Sequence, residues 1–129
     1  MRTWRLLAQY DAETTTYSAC AGTPASPFSP DFNGQLVGLR TIINRSAATS
    51  LINHIQYKLT CAAWRPNTLE VGAQGAGLQT ALVAETGPMD WAVQQPVLAG
   101  VPITIEGRNV TADTPVTVSS LLYGCFDVP

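Results

Sequence analysis

The residues that could carry out catalysis are few and widely spaced along the chain. His54 is the only histidine, so a Ser-His-Asp triad, a Cys-His pair or a zinc-hydrolase site would have to use it. It lies among polar residues of a predicted strand, and neither a GxSxG nor an HExxH motif surrounds it. We interpret His54 as a solvated or interface residue and keep a small hydrolase on a sandwich scaffold as a third hypothesis.

The cysteines and acids give no stronger sign of a site. Cys20, Cys61 and Cys125 form no CxxC pair, and with a single histidine a structural zinc site lacks ligands. We expect buried, reduced thiols, with one disulfide plus a free thiol as the alternative. Nothing in the spacing brings together two of the acids that could form a glycosidase pair. These acids are Asp31, Glu70, Glu85, Asp90, Glu106 and Asp113.

A glycine-rich stretch follows the predicted strand TLEV and invites comparison with a phosphate-binding loop. Gly72, Gly75 and Gly77 occur in the order GxxGxG, and the lysine and hydroxyl residue of a P-loop are missing after them. We therefore interpret the stretch as a flexible connection or a point of close backbone approach. The sequence predicts no cofactor and no metal.

Aromatic residues suggest a second functional hypothesis, a carbohydrate-binding module of the lectin kind. Trp64 and Trp91 could form a platform on which a sugar ring stacks. Both occur in strand registers shared with apolar residues or at strand ends, so packing in a core or an interface is the favoured interpretation.

The scarcity of charge is the most informative feature of the composition. Only 12% of the residues are charged, against about 25% in typical soluble domains. There is one lysine, Lys58, beside six arginines, and interfaces lose Lys, Glu and Asp while keeping Arg and aromatics. The composition thus favours a surface covered by partners, with a low-charge extracellular β-domain as the alternative.

Net charge and hydropathy exclude two further classes of partner. The net charge is −2 and no basic run occurs, so nucleic acid is not an expected ligand. The apolar run near the start, Leu6 to Ala8, is too short for a signal-peptide core or a membrane span. We expect no membrane association.

The pattern of hydrophobic residues predicts an all-β chain. Fifteen threonines, many Val and Ile, and turn residues every eight to twelve positions predict a single domain, residues 1–129, that forms an antiparallel sandwich of about eight strands. The predicted strands are 3–10, 14–20, 35–43, 52–64, 68–71, 78–86 and 87–98, followed by two hairpin strands, 101–106 and 116–119, that lead into 119–126. Segment 78–86 also fits a helix. In 52–64 the set from Ile55 to Ala63 is predicted to be buried and the set His54, Gln56, Lys58, Thr60 to face water.

Two segments suggest contact with another protein. Residues 101–120 read as a hairpin whose outer side carries Thr104, Thr117 and Ser119, with Glu106 as its only charge. Residues 20–35 contain Pro24, Pro27 and Pro30 and predict an extended arm without core strand pairing. Phe28 and Phe32 in this arm need apolar surroundings, which a neighbouring subunit would supply. These residues are the candidate interface.

The Pro-rich arm, the low-charge Thr/Val strands and the ending AGVPITIEGRNVTADTPVTVSSLLYG resemble the single jelly-roll or β-sandwich structural proteins of bacteriophages and other viruses. This family includes capsid, cement and decoration proteins. The resemblance implies a jelly-roll-like fold, homo-oligomers that are often trimers, docking on a shell of major capsid protein, location in the virion and no catalysis. We therefore expect a non-enzymatic structural protein of a large assembly.

Overall fold

The chain is built from β-strands that alternate between two layers. The computed structural model describes residues 1–10, 16–20, 27–45, 55–72, 89–109 and 118–129, and these ranges contain eight strands and no helix. The strands are β1 (Arg2–Tyr10), β2 (Ser18–Ala19), β3 (Gly34–Arg45), β4 (Ile55–Cys61), β5 (Thr68–Gly72), β6 (Met89–Val97), β7 (Ile103–Asn109) and β8 (Val118–Asp127). The predicted segment 78–86 lies outside the described residues.

Strand pairing shows how the chain folds back on itself. β1 pairs with β8, β2 with β7, β3 with β6, and β4 with β5, always antiparallel. This is the pairing of one long hairpin, and rolling it up adds the pairs β3 with β8 and β4 with β7. The first sheet has the order β1-β8-β3-β6 and the second sheet β2-β7-β4-β5. Such a double sheet is a jelly roll, so the predicted fold class is confirmed.

The hairpin predicted for residues 101–120 is wrong. β7 belongs to the second sheet, where it pairs with β2 and β4, whereas β8 belongs to the first sheet, where it pairs with β1 and β3. Ile103 and Ile105 are buried, as their alternation predicts. A period of two identifies the two sides of a strand, however, and it does not identify the strand's partners.

Two β-bulges change which residues point inward. In β1 the register shifts between Leu6 and Ala8, which brings both Leu7 and Ala8 into the core. In β3 it shifts between Leu36 and Gly38, so that Leu36 and Leu39 are both buried. A bulge inserts one unpaired residue and thereby reverses the alternation beyond it. A regular strand over residues 35–43 would place Leu36 and Leu39 on opposite sides, whereas the bulge places both on the inner side.

β4 is less exposed to water than its sequence predicts. Tyr57, Leu59 and Cys61 are buried as predicted. Gln56, however, is only 4% exposed, because β4 lies between β5 and β7 and Arg108 of β7 donates a 2.7 Å hydrogen bond to its side-chain oxygen. A paired amide can be buried at low cost, since its hydrogen bond replaces one to water.

Large rings fill the space between the sheets. Tyr10 of the first sheet packs edge-on against Tyr57 of the second sheet, with 6.5 Å between ring centroids. The Tyr10 ring also lies directly on Gly107 in β7, where a Cβ atom would be 2.6 Å from a ring carbon. The Tyr57 hydroxyl donates a 2.8 Å hydrogen bond to Ser120 Oγ of the first sheet, which satisfies both buried groups. Tyr10 and Tyr57 thus link the two layers.

The described part of the arm, residues 27–33, packs on the chain's own core. Phe28 and Phe32 contact Phe126, with ring centroids 6.0 and 5.2 Å away. Phe28 also exchanges backbone hydrogen bonds of 2.7 and 2.8 Å with Ile103. The prediction of an arm without strand pairing is therefore wrong, because Ile103 offers Phe28 free backbone groups and Phe126 offers both rings apolar contact.

The glycine opposite Tyr10 provides a test of this packing. We expect Gly107→Ala to destabilise the protein by about 1–3 kcal/mol, because the new methyl group must displace an aromatic ring in a filled core. Gly38→Ala is the matched control, since its nearest neighbour would be at an ordinary 3.5 Å. The measurement is the midpoint of urea unfolding. Equal unfolding midpoints for Gly107→Ala and Gly38→Ala would show that the Tyr10 ring does not exclude a side chain at position 107.

Candidate functional site

The outer side of the first sheet carries a cluster of large side chains. In β8, Leu121 and Tyr123 alternate with the buried Ser120 and Leu122 and so point away from the core. Arg40 lies directly opposite Tyr123, and Ile42 opposite Leu121. We define the aromatic face as the outward side chains Trp4, Arg40, Ile42, Asp90, Leu121 and Tyr123.

Trp4 is the most prominent member of the aromatic face. It is 45% exposed and lies opposite Cys125, which in turn lies opposite Gly38. A Cβ atom at Gly38 would be 3.9 Å from the far end of the indole, so the ring extends over β8 towards β3. Cys125 is only 7% exposed although it points outward, because the indole lies over it. The small residues at these two positions let the ring lie close to the sheet.

Arg40 connects the aromatic ring to a carboxylate. Its guanidinium lies 4.6 Å from the Trp4 ring centroid, in a cation–π contact. It also donates hydrogen bonds of 2.7 and 2.9 Å to the two carboxylate oxygens of Asp90, its cross-strand neighbour. The bidentate contact lowers the pKa of Asp90 and raises that of Arg40. Both groups are therefore charged at neutral pH, and they neutralise each other.

A shallow depression lies within the aromatic face. It has a volume of about 280 Å³ and is lined by Trp4, Arg40, Ile42 and Tyr123. A larger depression, of about 390 Å³, lies where the two chain ends meet, and it has no aromatic side chain. It is lined by Met1, Gly34, Gln35, Asp127, Val128 and Pro129. The smaller one combines stacking surface with a donor and an acceptor, as binding sites do.

The outer side of the second sheet has the opposite character. Lys58 and Arg108 each lie over the Tyr17 ring, at 4.6 and 4.4 Å from its centroid. Lys58 also forms a 3.6 Å salt bridge with Glu106. Burial, with a smaller contribution from Glu70, raises the pKa of Tyr17, so the phenol is neutral. This sheet presents paired charges and hydroxyl groups to water.

The predicted sugar platform of Trp64 and Trp91 does not exist. Trp64 is fully buried, and its indole N–H donates a 2.8 Å hydrogen bond to the Pro96 carbonyl of β6. Trp91 is partly buried and packs against the core from the inner side of β6. Pro96 and Trp91 are five residues apart on one strand, roughly 16 Å, so the two rings do not share a surface. Both residues hold edge strand β6 onto the sandwich.

The predicted interface residues lie in different parts of the fold. Thr104 is exposed on the outer side of the second sheet, opposite Thr60. Ser119 lies in β8 of the first sheet, so the two do not share one side of a hairpin. Thr117 lies outside the described residues. Phe28 and Phe32 have Phe126 as an apolar partner, so no neighbouring subunit is needed to cover them, and an interface role for any of the five stays a prediction.

The residues considered for catalysis are not brought together in the described part of the chain. Asp31 lies 3.3 Å from Arg5, which also stacks on Phe32. Asp90 pairs with Arg40, and Glu106 with Lys58. His54, Gly75, Gly77, Glu85 and Asp113 lie outside the described residues. Within those ranges no group of three or more His, Cys, Asp and Glu side chains could hold a metal ion.

The three cysteines are buried and free, which confirms the favoured prediction for them. Burial, with a smaller effect of Glu106, raises the pKa of the Cys20 thiol to about 12. A thiol with such a pKa carries almost no thiolate at neutral pH and is a poor nucleophile. Cys20 therefore acts as a small apolar side chain.

Trp4 is the functional candidate that sequence reasoning missed. Trp4 and the buried Tyr10 are six residues apart, so a regular strand would place them on the same side. Only the bulge at Leu7 explains this register, and no local residue pattern announces it.

Comparison with known proteins leaves the chain without an assigned family. No family model matches it, and no curated protein is significantly similar to it. The described residues also contain no helix that is long and apolar enough to cross a membrane.

Replacing Arg40 tests the electrostatics of the aromatic face. We expect Arg40→Gln to raise the pKa of Asp90 towards the ordinary value of 3.8, because the two charge-assisted hydrogen bonds are lost. Since the folded-state pKa of Asp90 is lowered, the pair stabilises the fold above the ordinary carboxyl pKa, and this contribution disappears as the pH falls through the lowered value. An NMR titration of the Asp90 carboxyl carbon measures the pKa of Asp90 in the wild-type chain and in the variant. An unchanged Asp90 pKa in the variant would contradict the pairing.

Proposed function

We propose that this chain is a non-enzymatic structural subunit of a large assembly, of the capsid, cement or decoration kind found in virus particles. The observation that carries the proposal is the strand pairing β1 with β8, β2 with β7, β3 with β6 and β4 with β5. This jelly-roll arrangement occurs in viral capsid subunits, in lectins and in cupins. Because fold alone does not determine function, the choice among these rests on the interior and the surface.

The interior favours a structural role. Jelly rolls that bind ligands inside need an open cavity with polar groups. Here the described interior is filled by a cluster of buried apolar side chains that includes Leu7, Leu39, Tyr57, Leu59 and Phe126. The buried hydroxyl groups of Tyr57 and Ser120 satisfy each other, and Thr41 Oγ1 is buried without a hydrogen-bond partner among the described residues. A filled core of this kind favours a structural role over the binding of a small molecule inside the fold.

The surface favours association with other proteins. Few residues of the chain are charged, and the outer side of the first sheet presents Trp4, Ile42, Leu121 and Tyr123. Exposed aromatic residues with Arg, and without Lys, are typical of protein interfaces. The expected partners are further copies of this chain, in trimers if the resemblance to viral proteins holds, and a major capsid protein or other virion protein. Its expected location is the virion.

A carbohydrate-binding module is the second candidate. The observation that favours it is the exposed Trp4 beside the Arg40–Asp90 pair in a depression of about 280 Å³. We rank it second because the Arg40 guanidinium already occupies one side of the indole, which leaves less ring surface for a sugar. Only this candidate predicts saturable quenching of tryptophan fluorescence by a sugar.

The oligomeric state tests the proposed function. We expect the purified chain to associate at micromolar concentration. An assembly subunit with this composition has weakly polar surface, and binding to further copies of the chain removes that surface from water. Sedimentation equilibrium over a concentration series measures the mass. A monomer at all concentrations, together with sugar-dependent quenching, would replace the proposal by the carbohydrate-binding module.

A further inference from the structure

We infer that the aromatic face binds the aromatic face of a second copy of this chain, so that two sandwiches stack through their first sheets about a two-fold axis. The inference rests on the proposed function and adds to it the surface and the symmetry of one contact. It is argued from the composition of the face, from its charges and from its area.

The two outer sides of the sandwich differ in what they offer to a partner. On the aromatic face, Trp4 is 45% exposed, and Ile42, Leu121 and Tyr123 are all partly exposed. On the second sheet, the described outward residues include the Lys58–Glu106 salt bridge and exposed Thr104. Removing apolar area from water is the main driving force of association, so the aromatic face gains more from being covered.

The charges on the aromatic face allow it to be buried. Its charged side chains are Arg40 and Asp90, which already form two hydrogen bonds with each other. At the end of the same outer side Arg2 lies opposite Asp127, so the charges there are also of opposite sign. Burying a charge is costly chiefly when it has no partner, and here each charge keeps its partner in the contact. The face also has no net charge, so two copies of it do not repel each other. A partner of strong positive or negative charge would gain nothing from it.

The area of the face suits a weak, reversible dimer. Four strands spaced by about 4.8 Å, paired over about eight residues of 3.4 Å each, form a surface of about 19 by 27 Å. A pair of such surfaces would bury about 1,000 Å² in total, which is the lower limit for a specific interface. Because interfaces at this limit belong to weak and transient complexes, we expect a weak dimer.

The shape of the face suits self-association. Sheets of two sandwiches pack face to face at about 10 Å with their strands nearly aligned. The indole of Trp4 lies close to the surface of the sheet, over Cys125 and next to Gly38. Beside the indole is the depression that Arg40, Ile42 and Tyr123 also line. About a two-fold axis each copy presents both features to the other. The contact is therefore closed after two subunits.

Charge substitutions on the two outer sides test the inference. We expect Trp4→Glu and Ile42→Glu to weaken dimerisation roughly 30-fold or more, because each places two like charges in an apolar contact and removes anchor area. Thr68→Glu, at an exposed position opposite Thr60 on the second sheet, is the matched control and leaves the dissociation constant unchanged. The measurements are sedimentation equilibrium of each full-length variant and circular dichroism to confirm folding. Two variants on the face keep the test valid if Trp4→Glu does not fold.

The outcomes separate this inference from the proposed function. Loss of association in both face variants, with the control unaffected, supports the inference. Association that persists in both folded face variants overturns the inference and leaves the proposed function standing. A mass that levels off at three subunits also overturns the inference and leaves the proposed function standing, because a face that binds to itself forms pairs. A wild-type chain that stays monomeric overturns both.

Discussion

The rest of the structure depends on the packing of Tyr10 against Gly107. This contact joins β1 of the first sheet to β7 of the second sheet, and it leaves no room for a side chain at position 107. Tyr57 completes the link, since its ring meets Tyr10 and its hydroxyl bonds to Ser120. Rings of this size hold two sheets at the usual distance of about 10 Å. With the separation of the layers determined, each outward residue has a defined place on one of two outer sides.

In the proposed function the two outer sides have different roles. The second sheet carries paired charges such as Lys58 and Glu106 on its outer side. Salt bridges of this kind tolerate exposure to water. The first sheet carries Trp4 and Tyr123 on its outer side, where Arg40 and Asp90 beside them neutralise each other. A domain with one water-facing and one partner-facing side can join an assembly without aggregating, because the apolar area is confined to one surface.

The sequence allowed prediction of the fold class, the buried thiols and most strand positions, because alternation and turn residues are local signals. It did not allow prediction of the pairing of β7 and β8, since rolling up a long hairpin brings together strands that are distant in the chain. The bulges at Leu7 and Val37 have no local signature either, and they decide the register of Trp4 and Leu36. For Trp64 and Trp91 the sequence favours packing over a sugar platform, and both residues do point inward and hold β6.

The most direct test of the central claim is an NMR experiment on an equal mixture of isotope-labelled and unlabelled chains at high concentration. Filtering for contacts between labelled and unlabelled copies detects only pairs of protons from different subunits. The account predicts such contacts from the Trp4 indole to Ile42 or Tyr123 of the other copy, because these side chains line the same face. Intermolecular contacts from Thr104 and Lys58 of the second sheet, with none from Trp4, would contradict it.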